Sequence, residues 1–161
     1  MPRLTSAHLG NDAMKDRWLP IAATGDGLFC IGISETEAGS AVGHMRARLT
    51  PDGDGYRLNA YKNYVTGGHK AGACLVWCRF PESSGTKGIG AVMVDLSAPG
   101  VTVTGTHVKM GLRATRFSST PTSTPPSSAM TFSKVSKPTL SLSFTLHPPI
   151  NATPTTTPTA E

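Results

Sequence analysis

Short apolar segments separated by turn residues dominate the chain between Gly27 and Val103. The clearest of them read LFCIGIS, ACLVWCRF, IGAVMVDL and VTVTGTHV, and each has the length of a strand. HMRARLT and YRLNAYKNYVT flank the turn sequence PDGDG, a pattern typical of a β-hairpin. Because these segments do not alternate with helical ones, they predict a mainly β domain, built as a sandwich or an open barrel.

Composition divides the chain into three regions. Residues 5–19 carry partial helical spacing, Pro20 is expected to stop this helix, and residues 1–20 look like the remnant of an N-terminal helical domain. Residues 21–115 form the β-rich domain, and all 17 glycines lie at or before Gly111. In residues 116–161, 28 of 46 positions are Ser, Thr or Pro, which predicts a largely irregular, disordered tail. Within this tail LSLSFTL (140–146) alternates like a strand and could pair with another segment.

Charge and hydropathy exclude several classes of partner. The formal net charge is +5, but the basic residues are dispersed and no aromatic stripe runs between them, so no nucleic-acid partner is expected. No apolar run approaches the ~20 residues of a membrane helix, so no membrane contact is expected. The N-terminus lacks the apolar core of a secretory signal.

The three cysteines, Cys30, Cys74 and Cys78, include no metal-type C-x-x-C pair. In the segment CLVWC a strand would place Cys74 and Cys78 on one face, where buried thiols act as small apolar groups. No metal site is predicted, and free thiols indicate a reducing, cytoplasmic location.

Three segments have an unusual composition. Residues 31–40, IGISETEAGS, begin as a strand and end in a loop of small residues, where backbone N–H groups can approach an anion. Residues 63–68, NYVTGG, place Tyr64 and Thr66 two positions apart, which predicts that both lie on one strand face. The third segment is KMGLR (109–113). Each segment alone could be an ordinary strand end or turn.

Together, and in this order, the segments resemble the acyl-CoA dehydrogenase family from about Asp12 to Thr115. KDRWLPIAATGDGLFCIGISETEAGS is similar to the family's helix end, Leu-Pro step, Gly-acid turn and "TEPGAGSD" loop. DGDGYRLNAYKNYVTGGHKA is similar to its "G-x-x-x-L-N-G-x-K-x-W-I-T-N-G" hairpin. GIGAVMVDLSAPGVTV and KMGLRAT are similar to its "F-L-V-x-x-x-x-P-G" and "K-x-G-x-R" sequences.

The resemblance implies an FAD site on the β-domain and an acyl-CoA thioester as substrate. In the loop, the backbone and hydroxyl around Ile33 and Ser34 would bond the pyrimidine edge of the isoalloxazine. Gly39 and Ser40 would face the FAD pyrophosphate, and the Ser40 region would also lie near the acyl-CoA. Homotetramers are usual in this family, although its tetramer contacts lie largely outside the segments matched here.

In the hairpin, the resemblance places Tyr64 where the family usually has Trp, against the flavin ring, and Thr66 close to flavin N5. Fixed donors at the polar edge of the ring would stabilise the negative charge that reduction places there. The sequence departs from the family pattern at Tyr64, Thr36, Ala41 and Gly67, and Gly67 replaces an Asn that could supply a supporting hydrogen bond.

No residue is assigned a catalytic role. The family's base is a Glu of the C-terminal helical domain or an adjacent helix, whereas no acidic residue lies here between Asp95 and Glu161. Glu35 and Glu37 are expected to be structural or solvent-facing. We therefore expect a fragment of an FAD-dependent acyl-CoA dehydrogenase with weak or no FAD retention and little or no turnover alone.

Two alternatives stay open. The family pattern is expected to stop at Thr115, where RFSSTPTSTPPSS follows, and this abrupt change suggests a frameshift or a wrongly assigned gene boundary. A natural linker would explain the same tail.

The alternative function is a non-catalytic scaffold or interaction protein that reuses the β-domain.

Overall fold

A computed structural model describes residues 12–53, 55–81, 88–103, 105–107, 109–111, 117–118, 130–132 and 140–145. Within these ranges the α-helix α1 spans Asp12–Thr24. The strands of the described residues are β1 Phe29–Gly32, β2 Arg48–Asp52, β3 Gly55–Lys62, β4 Val65–Thr66, β5 Ala73–Arg79, β6 Ile89–Asp95, β7 Val101–Val103, β8 Phe117–Ser118, β9 Met130–Phe132 and β10 Leu140–Thr145. The prediction of a mainly β fold with a short N-terminal helix is confirmed.

Strand β5 lies at the centre of the main sheet. It pairs antiparallel with β6 on one side. On the other side β1 runs parallel to its first half, ending with Gly32 opposite Val76, and β2 begins where Arg48 meets Arg79. Since β1 and β2 follow one another along the same edge of β5, residues 33–47 between them must leave the sheet as a loop. This loop contains most of the predicted flavin-binding residues.

The predicted hairpin is confirmed: β2 and β3 pair antiparallel from Arg48 opposite Asn59 to Asp52 opposite Gly55. Gly53 turns the chain with φ +62°, a conformation that glycine adopts without steric cost. The predicted continuation of this strand to Thr66 is wrong, because β3 ends at Lys62 and Tyr64 has φ 56°. A left-handed residue interrupts the strand before β4.

Two apolar layers cover the faces of β5. Cys74, Val76 and Cys78 face the larger core, whereas Leu75 faces the helix together with Met14 and Trp18. The prediction that Cys74 and Cys78 share a buried strand face is confirmed, and all three cysteines are free thiols. Trp18 meets Phe29 edge to face with ring centroids 5.9 Å apart, which anchors α1 on β1.

Helix α1 continues through Pro20 to Thr24, so the prediction that Pro20 ends it is wrong. Proline removes one helical N–H donor, whose acceptor would be the carbonyl of Asp16. Asp16 and Pro20 are both exposed, so solvent can bond that carbonyl in place of the helix. With 13 residues, α1 is too short to cross a bilayer, and no helix of the described ranges is long and apolar enough to do so.

The described residues after position 115 form the strands β8, β9 and β10. Strand β8 pairs with β4, β9 pairs with β3 and β7, and β10 pairs antiparallel with β6. The strand suggested by LSLSFTL is thus present as β10, with a register shift between Leu142 and Phe144. The predictions for residues 5–11, the loop 82–87, Leu112–Arg113 and the rest of the tail lie outside the described residues.

Candidate functional site

The loop after β1 and the end of β3 lie side by side. The Asn63 N–H donates to the Ser34 carbonyl at 2.9 Å, and the Asn63 amide donates to the Thr36 hydroxyl at 2.9 Å. The two segments that the sequence singled out, residues 31–40 and 63–68, are therefore in direct contact, although β2 and β3 separate them along the chain.

A closed turn gives the loop its shape. Backbone bonds run from Glu35 N to Ala38 O at 3.0 Å and from Ala38 N to Glu35 O at 3.3 Å. Gly39 and Ser40 follow this turn and are exposed. A Cβ added at Gly39 would have nothing within 4 Å, so the backbone there faces open space. Ile33 and Ser34 are half-buried at the start of the loop.

Tyr64 is an exposed aromatic in a left-handed conformation, with 61% of its surface accessible. The prediction that Tyr64 and Thr66 share a strand face is wrong as argued, since the alternation of side chains does not pass through a residue at φ 56°. Thr66 lies in β4 and is exposed. Tyr64 stacks instead on His107, with centroids 5.8 Å apart and 15° between the planes.

His107 was missed by the sequence argument. Its ring lies under Tyr64, and its Nε2 atom is buried with no hydrogen-bond partner among the described residues. The contact joins residues far apart in the chain, in a segment read only as a possible strand. No local pattern of residue types could have indicated it.

A buried ion pair, Glu35 with Lys62, was also missed. The Lys62 Nζ donates to Glu35 Oε1 at 2.8 Å, and the lysine side chain is 0% exposed. Glu35 also accepts hydrogen bonds from the backbone N–H groups of Arg46 at 2.6 Å and Ala47 at 2.9 Å. The sequence did contain a signal for the burial of Lys62, because strand alternation places it on the same face as Leu58 and Ala60. All three residues are buried in the structure.

Glu35 is thus structural, as expected, and Glu37 is solvent-facing. The Glu37 side chain is 61% exposed and pairs with Arg46. Neither carboxylate projects freely from the candidate site toward a substrate.

Burial dominates the electrostatics behind this loop. It lowers the pKa of Lys62 below 10.5, although the hydrogen bond and charge of Glu35 favour the charged amine. Burial also raises the pKa of the Cys78 thiol to about 12 and that of Cys74 well above its ordinary value. The buried groups behind the loop are therefore the neutral thiols of Cys74 and Cys78 and the Glu35–Lys62 ion pair.

The family model for the acyl-CoA dehydrogenase middle domain matches residues 30–122, more than half of the chain. The chain belongs to the acyl-CoA dehydrogenase family. All six residues predicted to contact the cofactor lie inside the matched span. The match also continues past Thr115, where the family pattern was expected to stop.

Individual relatives agree with the family. An acyl-CoA dehydrogenase of Mycobacterium tuberculosis is 36% identical over 92 residues, which cover 56% of this chain and 24% of that protein. The mitochondrial short-chain specific acyl-CoA dehydrogenase of Rattus norvegicus is 31% identical over 105 residues, which cover 65% of this chain and 26% of that protein. The chain thus spans about a quarter of the length of these curated relatives.

Solved structures show the same fold. Glutaryl-CoA dehydrogenase from Mycobacterium smegmatis superposes with a TM-score of 0.71 at 30% identity, covering 84% of this chain and 31% of that one. Acyl-CoA dehydrogenase from Geobacillus kaustophilus superposes with a TM-score of 0.74 at 27% identity, covering 88% of this chain and 36% of that one. Together with the family model, these similarities assign residues 30–122 to the middle domain of the family.

Proposed function

We propose that this chain is the flavin-facing and acyl-CoA-facing β-domain of an FAD-dependent acyl-CoA dehydrogenase. The observation that carries the proposal is the contact between the loop 33–40 and the end of β3, where Asn63 bonds both Ser34 and Thr36. A further support is a related glutaryl-CoA dehydrogenase, 28% identical, whose structure was solved in complex with FADH2. The reaction is the α,β-dehydrogenation of an acyl-CoA thioester.

The loop residues fit the polar parts of FAD. Within the described residues the Ser34 N–H donates to no protein acceptor. This N–H and the backbone of Ile33 would therefore bond the pyrimidine edge of the isoalloxazine ring. Gly39 and Ser40 would receive the pyrophosphate, since the open space at Gly39 lets a phosphate approach the backbone. Ser40 would also lie near the acyl-CoA.

The hairpin residues fit the ring itself. Tyr64 presents an exposed aromatic surface against which the isoalloxazine would lie, and it would exclude water from that side. The exposed Thr66 hydroxyl would approach flavin N5. When bound, FAD supplies the acceptor for the hydride that leaves the β-carbon of the substrate.

We infer that the chain alone has little or no turnover. Removal of the α-proton needs a base within hydrogen-bond reach. Glu35 is committed to Lys62 and two backbone N–H groups, and no acidic residue occurs between Asp95 and Glu161. The base and the remaining flavin contacts would come from outside the span that this chain shares with its relatives. We also propose a reducing, cytoplasmic setting, because all three cysteines are free thiols.

A second candidate function is a non-catalytic scaffold or interaction protein. The Ser/Thr/Pro-rich composition of residues 116–161 favours it, since such segments often serve as flexible connections. This candidate predicts no saturable flavin binding, and a partner that binds the tail at defined stoichiometry without flavin or CoA.

Flavin titration tests the proposal. We expect the purified chain to lose FAD on dialysis, yet to quench FAD and riboflavin fluorescence in a saturable manner. Gly39→Ala should weaken FAD binding about tenfold while riboflavin binding stays the same, because riboflavin lacks the pyrophosphate. Gly72→Ala is the matched control, since a Cβ there also meets nothing within 4 Å.

Two results would contradict this proposal. Absence of saturable binding of either flavin would remove the cofactor site. Tight, stoichiometric FAD whose colour bleaches on addition of acyl-CoA would instead show that the chain holds a complete active site.

A further inference from the structure

Lys62 is a charged side chain in an apolar setting. Its side chain is 0% exposed, and its neighbours include the thiols of Cys74 and Cys78. Replacing a buried ion pair by apolar residues of similar volume is often neutral or stabilising, so burial of Lys62 with Glu35 is weak support for a purely stabilising role. The geometry around its ammonium group indicates a more specific one.

The Lys62 ammonium joins the start of the loop 33–47, which contains most of the predicted flavin-binding residues, to the end of β3. It donates to the Ile33 carbonyl at 3.0 Å and to Glu35 Oε1 at 2.8 Å. Its stem crosses β1 at Gly32, where an added Cβ would lie 3.2 Å from Lys62 Cγ. The absence of a side chain at Gly32 therefore makes room for the lysine to reach the loop.

The Ile33 carbonyl and the Ser34 N–H belong to the same peptide group. Lys62 bonds the carbonyl end of this peptide, and Asn63 N–H bonds the next carbonyl, that of Ser34, at 2.9 Å. The peptide is thus held on both sides, while the Ser34 N–H meets no acceptor in the part of the chain that the structure describes. A carbonyl that accepts a bond from a charged donor makes the N–H of its own peptide a stronger donor.

We propose that Lys62 is a positioning residue that holds the Ile33–Ser34 peptide and polarises it, so that the Ser34 N–H is a fixed, strengthened donor to the pyrimidine edge of the flavin. Lys62 acts through this peptide and does not touch the cofactor. The identity of the acceptor rests on the proposed function, whereas the link from Lys62 to Ser34 does not.

Nuclear magnetic resonance of the full chain tests the link without flavin. The test variant is the double substitution Glu35→Gln and Lys62→Met, which removes both charges and leaves no unpaired ion in the core. The Ser34 amide proton should move upfield in this variant. Lys15→Met, which removes a half-buried lysine of α1 that pairs with Asp12, should leave the Ser34 signal in place.

Riboflavin titration then tests the consequence. In the wild-type protein riboflavin should shift the Ser34 amide signal on binding. The double variant should bind riboflavin about threefold to tenfold more weakly, the range expected for weakening one hydrogen bond. Lys15→Met should bind it as the wild type does.

The outcomes of these experiments separate the role of Lys62 from the proposed function. An unchanged Ser34 signal and unchanged riboflavin affinity in the double variant would overturn the role of Lys62 and leave the proposed function standing. A displaced Ser34 signal without any riboflavin binding to the wild type would support the link and remove the flavin site. If the double variant does not fold, a hydrogen-bond scalar coupling between Lys62 Nζ and the Ile33 carbonyl carbon decides, because its absence in the wild type would overturn the inference and its presence would support it.

Discussion

Tyr64 carries the clearest local strain of the candidate site. A left-handed conformation costs an L-residue about 1–2 kcal/mol, and Tyr64, at φ 56°, is the non-glycine residue with positive φ in the described ranges. Its side chain is exposed, so core packing does not compensate. The stack of Tyr64 on His107 is the contact that offsets this cost. Strain of this kind persists where the surrounding structure enforces it, often at a binding site.

Substitution of Tyr64 separates strain from stacking. Asn adopts the left-handed conformation more readily than most residues, so Tyr64→Asn should keep the free energy of unfolding within about 1 kcal/mol of the wild type. Tyr64→Ala loses the stack and keeps the strain, and it should be less stable than Tyr64→Asn by about 1 kcal/mol. Urea denaturation measures both. Equal stability of the two variants would show that the backbone conformation at this position carries no cost.

Helix α1 is attached to the sheet by an apolar contact and an ion pair. Met14 and Trp18 pack on Leu75 and Met93, and Arg17 donates to Asp95 Oδ2 at 2.9 Å. Partial burial acts to raise the pKa of Asp95, but hydrogen bonds from Ser97 and then the Arg17 charge outweigh it, so this pKa lies below 3.8. The carboxylate at the end of β6 is thus more easily ionised in the folded state than in the unfolded chain.

This depressed pKa predicts an acid-sensitive contribution to stability. The contribution of Asp95 is present above the unfolded-state pKa and is lost as the pH falls through the lower, folded-state pKa. At about pH 6 Asp95→Asn should be about 1 kcal/mol less stable than the wild type, and this difference should vanish toward about pH 2. Thermal unfolding across this pH range measures it. Ser97→Ala should lose part of the same difference, whereas a gap that is constant with pH would rule out the contribution.

At the scale of the whole molecule, β5 joins the two apolar layers. It pairs with β1, β2 and β6, and its side chains alternate between the larger core and the layer under α1. Cys74 and Cys78 lie on β5 and Cys30 lies opposite Cys74 on β1, all of them buried. Access to any of these thiols therefore requires the centre of the sheet to open.

Thiol reactivity should report this opening. Burial raises the pKa of Cys78 to about 12 and that of Cys74 as well, so these two residues hold little thiolate in the folded protein at about pH 8. An aromatic disulfide reagent should react with all three thiols only at the rate of unfolding, and urea should accelerate the reaction. Thr102→Cys introduces a thiol at an exposed position of β7 and should react at once. Rapid reaction of a native thiol in the wild type would disprove burial of this region.

The sequence alone was sufficient for features that depend on neighbouring residues. The apolar run ACLVWCRF predicted the strand that is β5, strand geometry placed Cys74 and Cys78 on one face, and the Gly/Asp turn identified the β2–β3 hairpin. The motifs shared with the acyl-CoA dehydrogenase family selected residues 31–40 and 63–68, which proved to be in contact. The division of the chain at residue 115 stays a prediction, while β8, β9 and β10 beyond it pair with β4, β3 and β6.

Only the tertiary structure decided how distant residues meet. The parallel pairing of β1 with β5 forces the loop 33–47 out of the sheet, and no local pattern specifies which strands become neighbours. The same holds for the burial of Lys62 against Glu35 and for the stack of Tyr64 on His107. Each of these contacts joins segments far apart in the chain, so its stability arises from packing between elements and not from the preference of any one residue.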